Sequence, residues 1–176
     1  VETSLNYGFP LPSIYEAFNA RVESNFQNWW KDKLEEKEID INIEFLRNTI
    51  YFARLATMVQ GMLFIEHISS TENLEINLKE VLQNWSAGCI IRSDLLKELE
   101  GVNLSNTITS SGFVQNTLLE NLDSVKNVIN TCIDGSISIP VITSSYNWFV
   151  GTSNSFNPSS LIPVSYTHLT LPTKQD

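Results

Sequence analysis

In 176 residues the sequence has only two cysteines, two histidines, seven glycines and six prolines. Cys89 and Cys132 lie in apolar segments without CxxC spacing or a neighbouring histidine. That excludes a disulfide framework and a zinc site, and reads as two buried thiols in a reducing, cytoplasmic setting. Basic charge is scarce as well. Eleven Lys and Arg against twenty Asp and Glu leave a formal net charge of −9, with no basic cluster to offset it. Such a field repels a polyanion, so nucleic acid is excluded as a partner. No apolar run reaches the ~20 almost uncharged residues that a membrane span needs, so no membrane partner is expected. No segment alternates apolar and polar residues over a strand's length, which argues against a β architecture. A GxGxxG turn after a strand, a phosphate loop, an HExxH helix and a Ser-His-Asp grouping are all missing. From the residues alone, no catalytic, metal-binding or cofactor-binding residue is assigned.

What is present is apolar and aromatic. Hydrophobic residues make up 42% of the chain, with four Trp, five Tyr and nine Phe, enough for one domain with a sizeable core. The chain is organised around residues 41–68, INIEFLRNTIYFARLATMVQGMLFIEHI. Phe45, Tyr51, Phe52, Leu55, Met58, Val59, Met62 and Leu63 cover most of a helix's circumference. A helix apolar nearly all round is buried nearly all round. Arg47, Asn48, Arg54, Gln60 and Glu66 interrupt it too often for a membrane span. It reads as one long central helix over 43–67, capped by Asp40 or Asn42, with Phe52, Leu55, Ala56, Val59, Met62 and Leu63 inside. His67, at the end of that helix, reads as structural.

Around it the spacing predicts further helices. Ser13 and Glu16 have the spacing of a capping box. The stripe Ile14, Ala17, Phe18, Val22, Phe26, Trp29, Trp30 and Leu34 then continues one apolar face. Residues 31–40 are mostly charged and read as a solvated end. Asn77 and Glu80 repeat the cap spacing ahead of a short helix ending near Trp85. Ser86, Ala87 and Gly88 read as a break before a helix over 89–99. Residues 101–113 read as a loop. Thr117 and Glu120 form a third box before a helix with Leu118, Leu122, Val125, Ile129 and Cys132 on one face, closed by Gly135 in a left-handed C′ position. Pro140 suits the first turn of a last helix that carries Ile142, Tyr146, Phe149 and Val150 and closes at Gly151. The fold class is all-α.

Three segments resemble the helical domain of the 6-phosphogluconate dehydrogenases. YGFP at 7–10 with IYEAFNAR at 14–21 is similar to that family's GVPxxxIxEAVxAR helix. QGML at 60–63 and WSAGCIIRS at 85–93 resemble its AQGxxLL and W(R)xGCIIRS runs. IPV at 139–141 and NPSSLI at 157–162 resemble its IPxP and LPANLI elements, in the same order. The resemblance implies the C-terminal helical type of fold with a long buried central helix. It also implies an NADP-dependent oxidative decarboxylase of the pentose phosphate pathway, converting 6-phospho-D-gluconate to D-ribulose 5-phosphate and CO2, dimeric through this domain. Arg21, the last residue of the EAVxAR match, corresponds to a substrate-binding residue. A guanidinium suits a phosphate, because it stays charged and offers paired donors. The family's catalytic Lys and Glu correspond to positions upstream of Val1.

There are departures. Ser86 stands where the family has Arg, Ser138 where it has Gly, and the Tyr-Arg after the aromatic helix is absent. After Ile162 the family continues QAQRDYFGAH, supplying an Arg and a His to the partner subunit's site. Here the chain reads PVSYTHLTLPTKQD, which resembles translated adapter sequence, and His168 does not align with the family's His. Residues 1–162 are therefore read as the helical substrate and dimerisation domain, truncated at both ends. Residues 163–176 are read as a non-native tail. The alternative is a non-catalytic helical oligomerisation or binding domain.

Overall fold

The computed structural model describes residues 1–26, 33–34, 37–88, 94–102 and 107–154. Seven α-helices lie among them: α1 (Glu2–Asn6), α2 (Pro12–Glu23), α3 (Ile43–Thr71), α4 (Leu78–Gly88), α5 (Asp94–Glu100), α6 (Gly112–Asp134) and α7 (Pro140–Ser153). Short 3₁₀ turns occupy Ser24–Phe26 and Ile108–Ser110, and no strand occurs among the described residues. Trp29, Trp30 and Cys89, with the CIIRS part of the family-like run, lie outside them.

The central helix starts where a cap permits. Asn42 Oδ1 accepts from the Glu44 and Phe45 amides at 2.8 and 3.2 Å, satisfying two of the donors that a helix start leaves without partners. From there α3 runs unbroken for 29 residues. Thr57, in its middle, turns its hydroxyl back onto the Ala53 carbonyl at 2.8 Å and leaves the helix continuous. Phe52, Leu55, Ala56, Val59 and Met62 are buried and Leu63 is half-buried. Burial is not uniform along the helix, however. Ile43 and Ile50 are 70% and 47% exposed, because α4 to α7 pack onto the middle of α3 and leave its first turns outside.

The core is built on those middle turns. Phe52, Leu55, Val59 and Met62 meet Leu82 of α4, Leu95, Leu96 and Leu99 of α5, and Val114, Leu118 and Val125 of α6. Each such side chain contributes roughly 1.5–3 kcal/mol on burial. Phe52 also meets Phe149 of α7 edge to face, with ring centroids 5.7 Å apart.

Several expected boundaries move: α3 runs past 67 to Thr71, α2 ends at Glu23 before the end of the expected stripe, and three others shift as follows. First, α6 begins at Gly112 with Ser111 as its cap, Ser111 Oγ accepting from the Val114 amide at 3.4 Å. Thr117 is inside the helix and caps nothing. What brings the start forward is a contact no local spacing shows: Glu66 of α3 accepts from the Ile108 amide at 3.1 Å and anchors the preceding 3₁₀ turn. Second, α4 continues through Ser86 to Gly88, its start capped by Asn77 Oδ1 on the Lys79 amide at 3.0 Å. Third, α7 starts with Pro140 in its first turn as expected but runs through Gly151 to Ser153.

The end of α6 is also built differently. Gly135 is right-handed, at φ −83°, and Ser136 takes the left-handed position at φ 57°. The Ile137 and Ser136 amides donate to Cys132 and Ile133 carbonyls at 2.8 and 3.0 Å, the paired bonds of a Schellman turn. Gly135 is needed for space instead, since a Cβ there would run into Ile39 Cγ2.

Candidate functional site

The approach to α2 is fixed before the helix starts. Gly8 turns the chain at φ +63°, a conformation glycine adopts without steric cost. That turn lays Phe9 against Phe64 and His67 of α3, with centroids 5.5 and 5.1 Å apart. Tyr7 meets the same two rings edge-on at 6.2 and 6.3 Å and donates its hydroxyl hydrogen to Glu72 at 2.7 Å. His67 is therefore a packing member of an aromatic cluster. Tyr15 of α2 donates to the Phe9 carbonyl at 3.0 Å, and its oxygen lies 2.8 Å from Ser4 Oγ of α1.

Ser13 does not cap α2. Leu11 holds the N-cap position without a side-chain bond, Pro12 opens the first turn, and Ser13 is buried against α3 and α7. Its amide donates to Gln60 Oε1 at 3.1 Å, and its hydroxyl receives a bond from Gln60 Nε2 at 2.7 Å. Ser13 Oγ also lies 2.9 Å from Ser145 Oγ. With Pro at the first position, the chain passes too close to α3 and α7 for Ser13 to turn back on its own helix.

Beyond that anchor α2 stays packed along α7, but its other face turns away from the described bundle. Ala17, Phe18, Arg21 and Val22 are exposed, as is Phe26 in the 3₁₀ turn that follows. The apolar stripe expected to pack inward is thus outward over its second half, because no described element lies on that side. Arg21 sits in the last turn of α2, where a cation complements the helix dipole. Ser24 Oγ donates to its carbonyl at 2.7 Å. No ion pair to its guanidinium is found among the described residues. Helical spacing puts Arg21 one turn from Ala17 and Phe18, both exposed.

Two of the cavities among the described residues lie at the other end of α2. One, of about 650 Å³, is mainly apolar and lined by Phe9, Leu63, Val114, Leu118, Trp148 and Phe149, with Gln115 and Thr152 at its polar edge. The other, about 560 Å³, is a groove between α2 and α7 lined by Pro12, Glu16, Thr143, Asn147 and Trp148. Neither includes Arg21.

The perturbed titratable groups serve the fold. Burial pushes the Glu66 carboxyl up, against the opposing pull of the Ile108 amide. Tyr51 is pushed up to about 12 by burial and by its hydrogen bond to Glu98 of α5. Burial likewise raises the Cys132 thiol. No cluster of metal-ligating side chains occurs among the described residues. No glycine-rich turn between a strand and a helix, the dinucleotide site of doubly wound folds, occurs among the described residues. Gln60, Ser145 and Glu66 are the residues that spacing missed. Gln60 carried a signal, the QG pair of the family-like run, without a role attached to it.

The comparisons with known proteins agree on this architecture. The 6-phosphogluconate dehydrogenase C-terminal domain model matches residues 1–165. The decarboxylating 6-phosphogluconate dehydrogenase of Synechocystis is 26% identical over 92% of this chain, which covers 36% of that protein. The Synechococcus elongatus enzyme of the same name is 27% identical over 85% of the chain and 35% of its own length. The chain thus spans little more than a third of these relatives. Among solved structures, the Plasmodium falciparum 6-phosphogluconate dehydrogenase, described in apo form and in complexes with NADP+ and 6-phosphogluconate, superposes with a TM-score of 0.73 at 21% identity. That likeness covers 98% of this chain and 41% of the other, and it bears on the fold. With a family match over nearly its whole length, the chain belongs to the 6-phosphogluconate dehydrogenase C-terminal domain family.

Proposed function

We propose that this chain is the helical substrate-side and dimerisation portion of a decarboxylating 6-phosphogluconate dehydrogenase, with Arg21 as its contact to the substrate phosphate. The whole enzyme would oxidise 6-phospho-D-gluconate with NADP in the cytoplasm, releasing CO2 and D-ribulose 5-phosphate. Residues 1–162 form the domain in this reading, and residues 163–176 are a non-native tail. One observation carries it: Arg21 stands on the exposed end of an otherwise anchored helix, in a domain of this family. A phosphate oxyanion there would take paired charge-assisted bonds. In this reading the chain's own part is to bind and orient the substrate.

The test is substrate affinity in a full-length dehydrogenase carrying this domain. Arg21→Ala should weaken 6-phosphogluconate binding by roughly 1.5–3 kcal/mol, the size of one lost charge-assisted bond, and leave NADP affinity unchanged. Arg21→Lys should restore part of it, keeping the charge and losing the fork. Unchanged substrate affinity in the Ala variant would return Arg21 to an ordinary surface role.

A second reading rests on exposed apolar residues of α2 and of the start of α3. Phe18 and Val22 are 57% and 40% exposed and Ile43 is 70% exposed, as an oligomerisation or binding domain without catalysis would require. Sedimentation of the chain with and without 6-phosphogluconate separates the two readings. The second expects association with no response to the sugar phosphate.

A further inference from the structure

The first turn of α2 lacks the local cap that its position demands. A helix start leaves four amides without intrahelical partners. Leu11, at the N-cap, has no side chain to offer, and Pro12 has no amide to satisfy. Gln60 fills the gap from another helix. Its Oε1 takes the Ser13 amide at 3.1 Å, as a cap oxygen would, and its Nε2 donates to Ser13 Oγ at 2.7 Å. Gln60, Ser13 and Ser145 are each fully buried, at 0% exposure.

The hydrogens in this cluster can be placed by elimination. Ser145 Oγ donates its one hydrogen to the Val141 carbonyl at 2.8 Å, so it can only accept from Ser13 across the 2.9 Å between them. The order is then Gln60 Nε2 to Ser13 Oγ, Ser13 Oγ to Ser145 Oγ, and Ser145 Oγ to the Val141 carbonyl. One glutamine thus ties the start of α2 to α3 directly and to α7 through two hydroxyls. The Gln60–Ser13 and Ser13–Ser145 bonds are buried, so losing one leaves a polar group without a partner, which costs more than the bond itself contributes. Beyond this anchor α2 packs along α7 on one side and is exposed on the other, and Arg21 rides two turns further along the exposed side.

We infer that Gln60 is a positioning residue, which acts by capping α2 from outside and so fixes the direction in which Arg21 presents its guanidinium to a sugar phosphate. The inference rests on the reading of Arg21 given above. It adds to that reading the residue that aims the arm.

The experiment uses the 176-residue chain itself, with two readouts on each variant. Amide hydrogen exchange follows α2 separately from α3 and α6, and the Arg21 side-chain NMR signal is followed as 6-phosphogluconate is added. Gln60→Met keeps the volume and removes both bonds. It should speed exchange in the first turns of α2 about tenfold or more, as the loss of a bond worth ~1.4 kcal/mol would. It should leave α3 and α6 unchanged and weaken the Arg21 response by a similar factor. If Gln60→Met does not fold, Ser13→Ala serves in its place. That variant keeps the backbone bond to Gln60 Oε1 and loses the relay to Ser145, and it should give a smaller change of the same pattern. Unchanged α2 exchange overturns the inference. So does loosening of α2, α3 and α6 together, which would mark Gln60 as an ordinary core residue. So does a looser α2 with an unaltered Arg21 response. If Arg21 in the parent chain does not respond to 6-phosphogluconate while α2 exchange still rises in the variant, the binding reading fails. Gln60 is then a structural cap, and its positioning role is overturned with that reading.

Discussion

Two neighbouring residues at the end of α6 separate space from backbone conformation. Gly135 has an ordinary right-handed φ, and Ser136 holds the left-handed one. Gly135→Ala introduces no φ strain but drives a methyl into Ile39 Cγ2. It should cost about 1–3 kcal/mol, as overpacking does, read as a lower urea midpoint at unchanged slope. Ser136→Gly should instead stabilise by about 0.5–1 kcal/mol, since glycine adopts the left-handed turn without a Cβ clash. Opposite signs for both variants would return Gly135 to the conformational role its spacing suggests. Glu66 supplies a pH-dependent case. Burial raises its pKa above the ordinary 4.5, so the folded chain holds the proton more tightly than the unfolded chain does. The stability this group contributes is complete below that ordinary value and is lost as pH rises through the folded pKa. Glu66→Gln removes the titration while its amide oxygen can still accept from Ile108. The variant should therefore gain on the parent in melting temperature as pH rises above the ordinary carboxyl value, modestly because the carboxyl is only partly buried. A parent that gains on the variant as pH rises would mean that the charged form of the Ile108 bond outweighs desolvation.

At the scale of elements, stability is concentrated where α3 meets α6 and α7. Phe52→Ala removes a fully buried ring and its edge-to-face partner Phe149. It should cost about 3–5 kcal/mol, enough to lower the thermal midpoint by many degrees in a calorimetric scan. Ile43→Ala, at the exposed start of the same helix, should stay within about 0.5 kcal/mol of the parent in the isolated chain. The same contrast marks what the sequence made legible. The middle of α3 was readable because periodicity and the Asn42 cap both act over a few residues, and Pro140 marked the start of α7 for the same reason. The starts of α2 and α6 were misplaced. Serine and threonine at cap spacing are a local signal: at α2 Gln60 of α3 takes the Ser13 amide instead, and at α6 the cap is Ser111 rather than Thr117, behind a turn that Glu66 of α3 holds. The outward turn of Phe18 and Val22 was equally hidden, since helical spacing marks an apolar face without saying whether anything packs on it. For the candidate site, Arg21 could be named only from the family-like EAFNAR run. Its exposure on a helix anchored two turns earlier is a property of the packing.

For the molecule as a whole, the charge balance and the accounting of titratable groups lead to one expectation about activity. Hydride transfer coupled to decarboxylation needs a base for the substrate hydroxyl and an acid for the product, together with a bound nucleotide. Four of the described groups that could transfer a proton have other contacts in the fold. His67 is packed between Tyr7 and Phe9, and Glu66 holds the Ile108 amide. Glu72 accepts from Tyr7, and Glu98 from Tyr51. The net charge of −9 adds no general attraction for an anionic nucleotide or sugar phosphate, so affinity has to come from particular cations such as Arg21. General acid and base groups typically supply about 10²- to 10⁴-fold each, and positioning against the cofactor supplies more. The purified 176-residue chain should therefore produce no NADPH above the uncatalysed background when mixed with 6-phosphogluconate and NADP, and calorimetry should detect no NADP binding. Its contact with 6-phosphogluconate should remain as a weak, salt-sensitive response centred on Arg21, because a phosphate held mainly by one exposed guanidinium is screened over about a Debye length. NADPH formation by the chain alone that survives Arg21→Ala would overturn this division of labour and place the acid, base and nucleotide site within these residues.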